Sequence, residues 1–280
     1  MRRGQSGFSL VELAVVMTIV AFLLATTMYT LSAQTEQRNF QETQRRLNDA
    51  RDLVLAFTMI NGRLPCPARN AATAAPATTA GDEVWEAATG ECRGDGVIDN
   101  LGGTISVAPP VIGGFLPGRA IGYQPVDASG FAIDAWGNRL RYAVSRTATN
   151  PIGGAGCAAA APGFTSAANL KANGIACAPQ NIVICNTAAG SVAGATPSCA
   201  AGAVATNTLT IAAVIYSTGK NGALACGTCL DEAENTDGDG VFVWHDPRPT
   251  GAVGGEYDDL MVWIPAGVLY TKLLNAGVLP

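Results

Sequence analysis

The tightest constraint on this chain is an uninterrupted apolar run near its N-terminus. Residues 13–31 read LAVVMTIVAFLLATTMYTL, 19 positions without a charge. As a helix rising about 1.5 Å per residue, the run would be about 28 Å long, close to the ~30 Å hydrocarbon core of a bilayer. It is therefore expected to cross a membrane. Arg2 and Arg3 precede it and are expected to stay on the cytoplasmic side, which sends the remainder outward. A secretory signal peptide fits less well, because its apolar region spans about 7–15 residues and ends in a small-residue cleavage site.

Between Phe8 and Gln34 the one charged residue is Glu12. A carboxylate at the edge of a membrane costs about 2–3 kcal/mol even on lenient insertion scales, so an unpaired one flags function. It follows Gly7 and Phe8 at a short, fixed distance. Cleavage after Gly7 would put a new amine on Phe8 and leave Glu12 as the fifth residue. The amine of one subunit could then neutralise the Glu12 of a neighbour inside an apolar bundle.

Beyond the run, Phe40, Leu47, Ala50, Leu53, Phe57 and Ile60 recur at intervals of three, four or seven. That spacing predicts a continuing amphipathic helix over residues 35–60, with Asn61-Gly62 as its stop. The heptads run too briefly for a coiled-coil dimer. Past Pro65 the pattern changes to short β-branched and aromatic segments at 140–145, 181–185, 208–217, 241–244 and 259–264. With no helical periodicity between them, they predict an antiparallel sheet. Trp136, Trp244 and Trp263 read as core of that head, and Trp85 as a loop residue.

Charge and composition exclude several functions. The chain has 17 Lys+Arg against 22 Asp+Glu, a net charge of -5, so there is no clear nucleic-acid site. One histidine removes most zinc-protease, haem and Ser-His-Asp readings. No phosphate-cradling glycine motif is present, so the subunit is not expected to hydrolyse nucleotides.

GFSLVELAVVMTIVAFLL, behind a short basic leader, resembles the class III signal of type IV pilins and type II secretion pseudopilins. The resemblance implies cleavage by prepilin peptidase after Gly7, N-methylation of Phe8, and a role for Glu12 in subunit registry. It also implies an α+β, pilin-like fold: a long N-terminal helix, membrane-spanning in its first half, packed on an antiparallel β-sheet head. The expected parts are a leader at 1–7, a membrane or filament-core helix at 8–34, an amphipathic continuation at 35–62 and a β-rich head at 63–280. In the head, DAWGNRLRY (134–142), VIYSTGKNG (214–222) and EYDDLMVWI (256–264) resemble elements of major pseudopilins. In this chain 33 residues, 223–255, separate the last two.

An exported head folds where disulfides persist. Proximity pairs the eight cysteines as Cys66–Cys92, Cys157–Cys177, Cys185–Cys199 and Cys226–Cys229, although a CxxC such as the last can also be redox-active or bind zinc. Calcium is the possible ligand. Asn235, Asp237 and Asp239 alternate ahead of Gly240, as at the start of a calcium loop whose twelfth position would be Asp246. The resemblance offers a second route through Asp258 and Asp259, but Asn221 stands where the family often has aspartate. The alternative is a solvated acidic loop closed by Asx-turns.

The function expected is thus a non-enzymatic filament subunit, of minor type because of its large head. Its expected partners are other pilin or pseudopilin subunits, prepilin peptidase, an inner-membrane assembly platform and the membrane. The precursor is expected in the inner membrane with its head in the periplasm, and the assembled form in a periplasmic or extracellular filament. The rival class is a membrane-anchored binding or enzymatic ectodomain with a pilin-like leader.

Overall fold

The computed structural model describes residues 9–68, 81–86, 91–92, 111–146, 148–149, 157, 163–194, 196–222 and 228–279. At 26–33, 86, 91, 111–112, 148–149 and 208 only the backbone is described. Helix α1 (Leu10–Asn61) is a single element of 52 residues, and the chain divides into two compact units at Glu42/Thr43. In the first unit the described residues lie almost entirely in α1, and positions 9–25 are exposed, including Phe22 at 72% and Met17 at 63%. Among the described residues no helix is long and apolar enough to cross a membrane. The apolar run itself continues through 26–33, whose side chains lie outside the description.

In the second unit α1 buries Thr43, Leu47, Ala50, Val54, Leu55 and Thr58. The expected stripe is therefore rotated. Leu47 and Ala50 are in it, Leu53 and Phe57 are half-buried, and Ile60 is 83% exposed. Two threonines are buried among them because their hydroxyls are hydrogen-bonded, one within the helix and one to a distant turn. Thr58 donates to the Val54 carbonyl at 2.7 Å, and Thr43 accepts the Ala135 N–H at 3.1 Å. The helix stops at Gly62, whose φ of +68° lies in the left-handed region and whose N–H caps the Thr58 carbonyl at 2.8 Å.

The strands are β1 (Trp85–Glu86), β2 (Glu91–Cys92), β3 (Val111–Phe115), β4 (Arg141–Ser145), β5 (Ala148–Thr149) and β6 (Ala178–Pro179). They continue with β7 (Val183–Cys185), β8 (Val204–Thr206), β9 (Ile211–Ser217), β10 (Val241–Val243) and β11 (Leu260–Pro265). The shorter helices are α2 (Gly118–Ile121), α3 (Ala167–Asn173), α4 (Leu230–Glu234) and α5 (Ala266–Asn275). The principal sheet runs β11-β9-β4-β3 and is antiparallel throughout, as the sequence pattern predicts. Alternation puts Ala143, Val214, Tyr216 and Met261 on one face, packed with Ile182, Ile184, Ile211 and Phe242. Tyr142, Val144, Ile215 and Ile264, on the opposite face, are also fully buried.

The layer over the first face is a second sheet, β10-β7-β8, and it corrects the purely antiparallel expectation. There β10 runs parallel to β7, in register Val241↔Val183 to Val243↔Cys185. A parallel pair needs a long crossover, which the chain supplies by passing through β8, β9 and α4 between the two strands. Residues 223–255 contribute α4 and β10 to this layer. Helix α5 is absent from the sequence reading, although Leu269, Tyr270 and Leu273 form a short buried face after Pro265. The tryptophans are less buried than expected: Trp136 and Trp263 are half-buried, and Trp244 is 41% exposed.

Three disulfides join the pairs expected from proximity: Cys66–Cys92, Cys157–Cys177 and Cys185–Cys199. Cys229 is also disulfide-bonded, while Cys226 lies outside the described residues. Near the first pair, the buried Arg63 guanidinium grips Glu83 through two hydrogen bonds of 2.8 and 2.7 Å and sits 4.4 Å from the centroid of the Trp85 ring. Glu83 also accepts the Cys66 N–H at 3.0 Å, so one ion pair fixes the chain as it leaves α1. Removing one member of a buried pair strands the other charge. Glu83→Ala is expected to lower unfolding free energy by about 3 kcal/mol, read from urea denaturation of the purified protein.

Candidate functional site

The three head segments singled out in the sequence meet around buried carboxylates. Asp134 opens the first segment and is 1% exposed. Its Oδ1 accepts the Trp136 and Asn138 N–H groups, both at 2.8 Å, and its Oδ2 accepts the Ser217 hydroxyl at 2.6 Å. Its carbonyl accepts Arg46 of α1 at 2.6 Å. Burial pushes the Asp134 carboxyl above its ordinary value, against the opposing effect of these hydrogen bonds. The Asp-Ala-Trp-Gly-Asn turn thereby ties α1 to β9.

The next segment continues the chain of contacts. Asn138 donates its side-chain amide to the Gly219 carbonyl at 2.6 Å, and Asp258 Oδ2 accepts the N–H groups of Lys220 at 2.9 Å and Asn221 at 3.1 Å. Gly219 has φ +62°, and a Cβ there would stand 2.1 Å from Asp258 Oδ1, so the close approach requires glycine. Burial, the largest effect, together with Glu232 and Glu256 nearby, pushes the Asp258 carboxyl up to about 6. Burial also holds the Asp259 carboxyl well above its ordinary value.

The six expected calcium residues divide. Asp237 and Asp239 cluster with Glu234, which lies outside the alternating pattern, while Asp258 and Asp259 cluster with Glu232. Burial and the charge of Asp239 push the Asp237 carboxyl up to about 7. Asn235 joins neither group. Its buried amide accepts the Val243 N–H at 2.7 Å and donates to Asp259 Oδ2 at 2.7 Å, which makes it a clamp between α4, β10 and β11. Asp246 is exposed and belongs to neither group, so the twelve-position loop does not converge on one point. Its neighbour His245 stacks on Tyr257, with ring centroids 3.8 Å apart, and contacts Asp231 at 3.1 Å, where Arg248 also binds. Those contacts pin the 245–257 loop, and no short sequence pattern announces them because the four residues are spread over positions 231–257.

At the other end of the chain, Gly7 and Phe8 lie outside the described residues. Glu12 occupies the first turn of α1, where the Ser9 N–H donates to its Oε2 at 2.9 Å and the Ser9 hydroxyl accepts the Glu12 N–H at 3.2 Å. This is a reciprocal capping box: two N-terminal amide groups are satisfied, with the negative charge at the positive end of the helix dipole. The Ser-x-x-Glu spacing is the signal in the sequence that marks this helix start. Residues 2–28 match the family model of the prokaryotic N-terminal methylation motif.

The N-terminus carries a prepilin-type signal. It is the signature of type IV pilin and pseudopilin precursors, and Gly7, Phe8 and Glu12 all fall within the matched span. No curated protein and no solved structure matches the chain.

The Asp134 node yields a stability prediction. Asp134→Ala removes the acceptor of two part-buried N–H groups and of one buried hydroxyl, and is expected to destabilise the head by about 3 kcal/mol. Asp82→Asn breaks only a 3.6 Å pair between half-exposed Asp82 and exposed Arg119. It should change stability by less than about 0.5 kcal/mol. Urea midpoints of both variants beside the parent protein test the contrast.

Proposed function

We propose that this chain is a non-enzymatic structural subunit of a type IV pilus-like or type II secretion pseudopilus filament. It is cleaved by prepilin peptidase after Gly7, N-methylated on Phe8 and assembled through its N-terminal helix, as a minor subunit. The observation that carries this reading is the match of residues 2–28 to the methylation motif, a span that includes Gly7, Phe8 and Glu12. The precursor lies in the inner membrane with its basic leader cytoplasmic and its head in the periplasm. An assembly platform then draws the helix from lipid into the filament.

The physical chemistry of Glu12 fits such a transfer. In a single chain its carboxylate is satisfied by Ser9. In a dry bundle of helices, the ammonium on a neighbour's Phe8 offers a stronger partner, and a pair is favoured over two isolated charges. Bulk supports the minor role, since the second sheet and its loops would crowd lateral packing in a filament of many copies. The rival reading, an anchored binding ectodomain, draws on a groove of 750 Å³ bordered by Trp244, Trp263, Arg51 and Lys272.

Two variants separate processing from assembly. Glu12→Ala is expected to be cleaved normally yet to fall by more than about a hundredfold in filament incorporation, given about 3 kcal/mol or more per stranded buried charge. Immunoblots of sheared filaments against membranes read that ratio, and unchanged incorporation refutes the role of Glu12. Gly7→Leu should accumulate full-length precursor; a band of mature length would remove Gly7 as the cleavage site.

A further inference from the structure

The two outer edges of the principal sheet are finished differently. At one edge, β3 already has an outer partner: Ala68 exchanges two backbone hydrogen bonds with Phe115, at 2.8 and 2.9 Å. At the other edge, β11 has a single neighbour, β9. In an antiparallel pair, alternate residues turn their N–H and carbonyl groups away from the partner strand. Among the described residues, nothing bonds to the outward-facing backbone groups of positions 260–264. A row of unpaired backbone groups is a template for another strand.

The usual protections of an edge are missing here. Residues 260–264 read LMVWI, with no charge and no proline, and the register shifts only between Ile264 and Pro265. The edge lies instead within the 750 Å³ groove, whose lining takes in five consecutive β11 residues, Met261 to Pro265. Side chains alternate between the two faces of a strand, so a groove that touches five in succession runs along the strand's edge. Trp244 and Trp263 border it as an edge-to-face pair with centroids 5.8 Å apart, and Trp244 is 41% exposed. Arg51 and Leu55 of α1 and Val268 and Lys272 of α5 form the rest of the border.

Charge and shape narrow the occupant. Arg51 is matched by Asp52 at 3.4 Å, whereas the exposed ammonium of Lys272 has no partner among the described residues. One unmatched positive charge beside an apolar strand edge suits a peptide that brings a carboxylate. The sheet edge of a second copy would arrive with its own neighbouring strand and covering layers. A groove bordered by helices and by tryptophans has room for one extended chain.

We propose that the free edge of β11 binds an extended segment of a partner polypeptide as a fifth strand of the sheet. Alternate side chains of the segment pack on Trp244 and Trp263. The intervening ones face α1 and α5, where an Asp or Glu meets Lys272. The main-chain ladder supplies affinity, and the aromatic and cationic borders supply selectivity. The six residues of β11 offer about 20 Å of edge, at about 3.3 Å per residue. The site lies wholly in the head, so it goes beyond the filament reading and does not depend on it.

The test is fluorescence anisotropy of a labelled octapeptide titrated with the full chain in detergent. The probe alternates valine with threonine and carries glutamate at one central threonine position. Saturable binding with a Kd below about 1 mM is expected, and its absence overturns the proposal. Methylating the peptide nitrogens along one edge of the probe should abolish binding, and along the other edge should preserve it, because a single edge meets β11. An equal effect of the two methylations marks the groove as a stacking surface and overturns strand pairing. Trp244→Ala should weaken binding about tenfold. Lys272→Glu should weaken it about fivefold and favour a probe with lysine in place of glutamate. Unchanged affinity of that variant for both probes overturns the carboxylate contact. None of these outcomes touches the N-terminal signal, so the filament reading stands or falls separately.

Discussion

A buried carboxylate, Asp134, is the joint on which the head depends. One side chain organises the turn before β4 through two N–H groups and reaches β9 through Ser217, while its carbonyl receives Arg46 from α1. Helix, turn and sheet thus share one residue at 1% exposure. Desolvating a carboxylate is costly, and the cost is offset only while every acceptor site is filled. Asp258 repeats half of that arrangement: its Oδ2 accepts the Lys220 and Asn221 N–H groups, while its buried Oδ1 has no hydrogen-bond partner among the described residues. The amphipathic part of α1 is consequently as much a part of the head as any strand.

The two units follow different physics. In the head, apolar faces are covered by a second sheet and loops are closed by disulfides. Along the described N-terminal stretch of α1, large apolar side chains stand exposed, a state that water disfavours and that lipid or a bundle of like helices would relieve. Glu12 lies in the first turn of that stretch, and its capping box leaves the charge satisfied within one chain.

Elements governed by local chemistry were legible in the sequence. The long helix with its Asn61-Gly62 stop, the strand segments around Tyr142, Ile215 and Val262, and three disulfide pairs all follow from periodicity, turn residues and spacing. Legibility failed where tertiary contacts decide. A spacing of three and four fits several helix faces, so nothing local told Thr58 from Ile60 as the buried position. The parallel pairing of β10 with β7 depends on a crossover through another sheet, which no short pattern encodes. In the acidic loop the alternation of Asn235, Asp237 and Asp239 pointed to one convergent site, but the amide of Asn235 turns to Val243 and Asp259 instead. Glu232 and Glu234 became visible only once α4 had folded against the closing loop.

Processing and use as a pilin-like subunit would leave a direct record in the chemistry of the N-terminus. Mass spectrometry of the N-terminal peptide, from protein taken from cell envelopes, distinguishes the possible fates. The account predicts a chain beginning at Phe8 with a single methyl group on its α-amine. A chain that retains residues 1–7, or one cleaved beyond the apolar run, would contradict it.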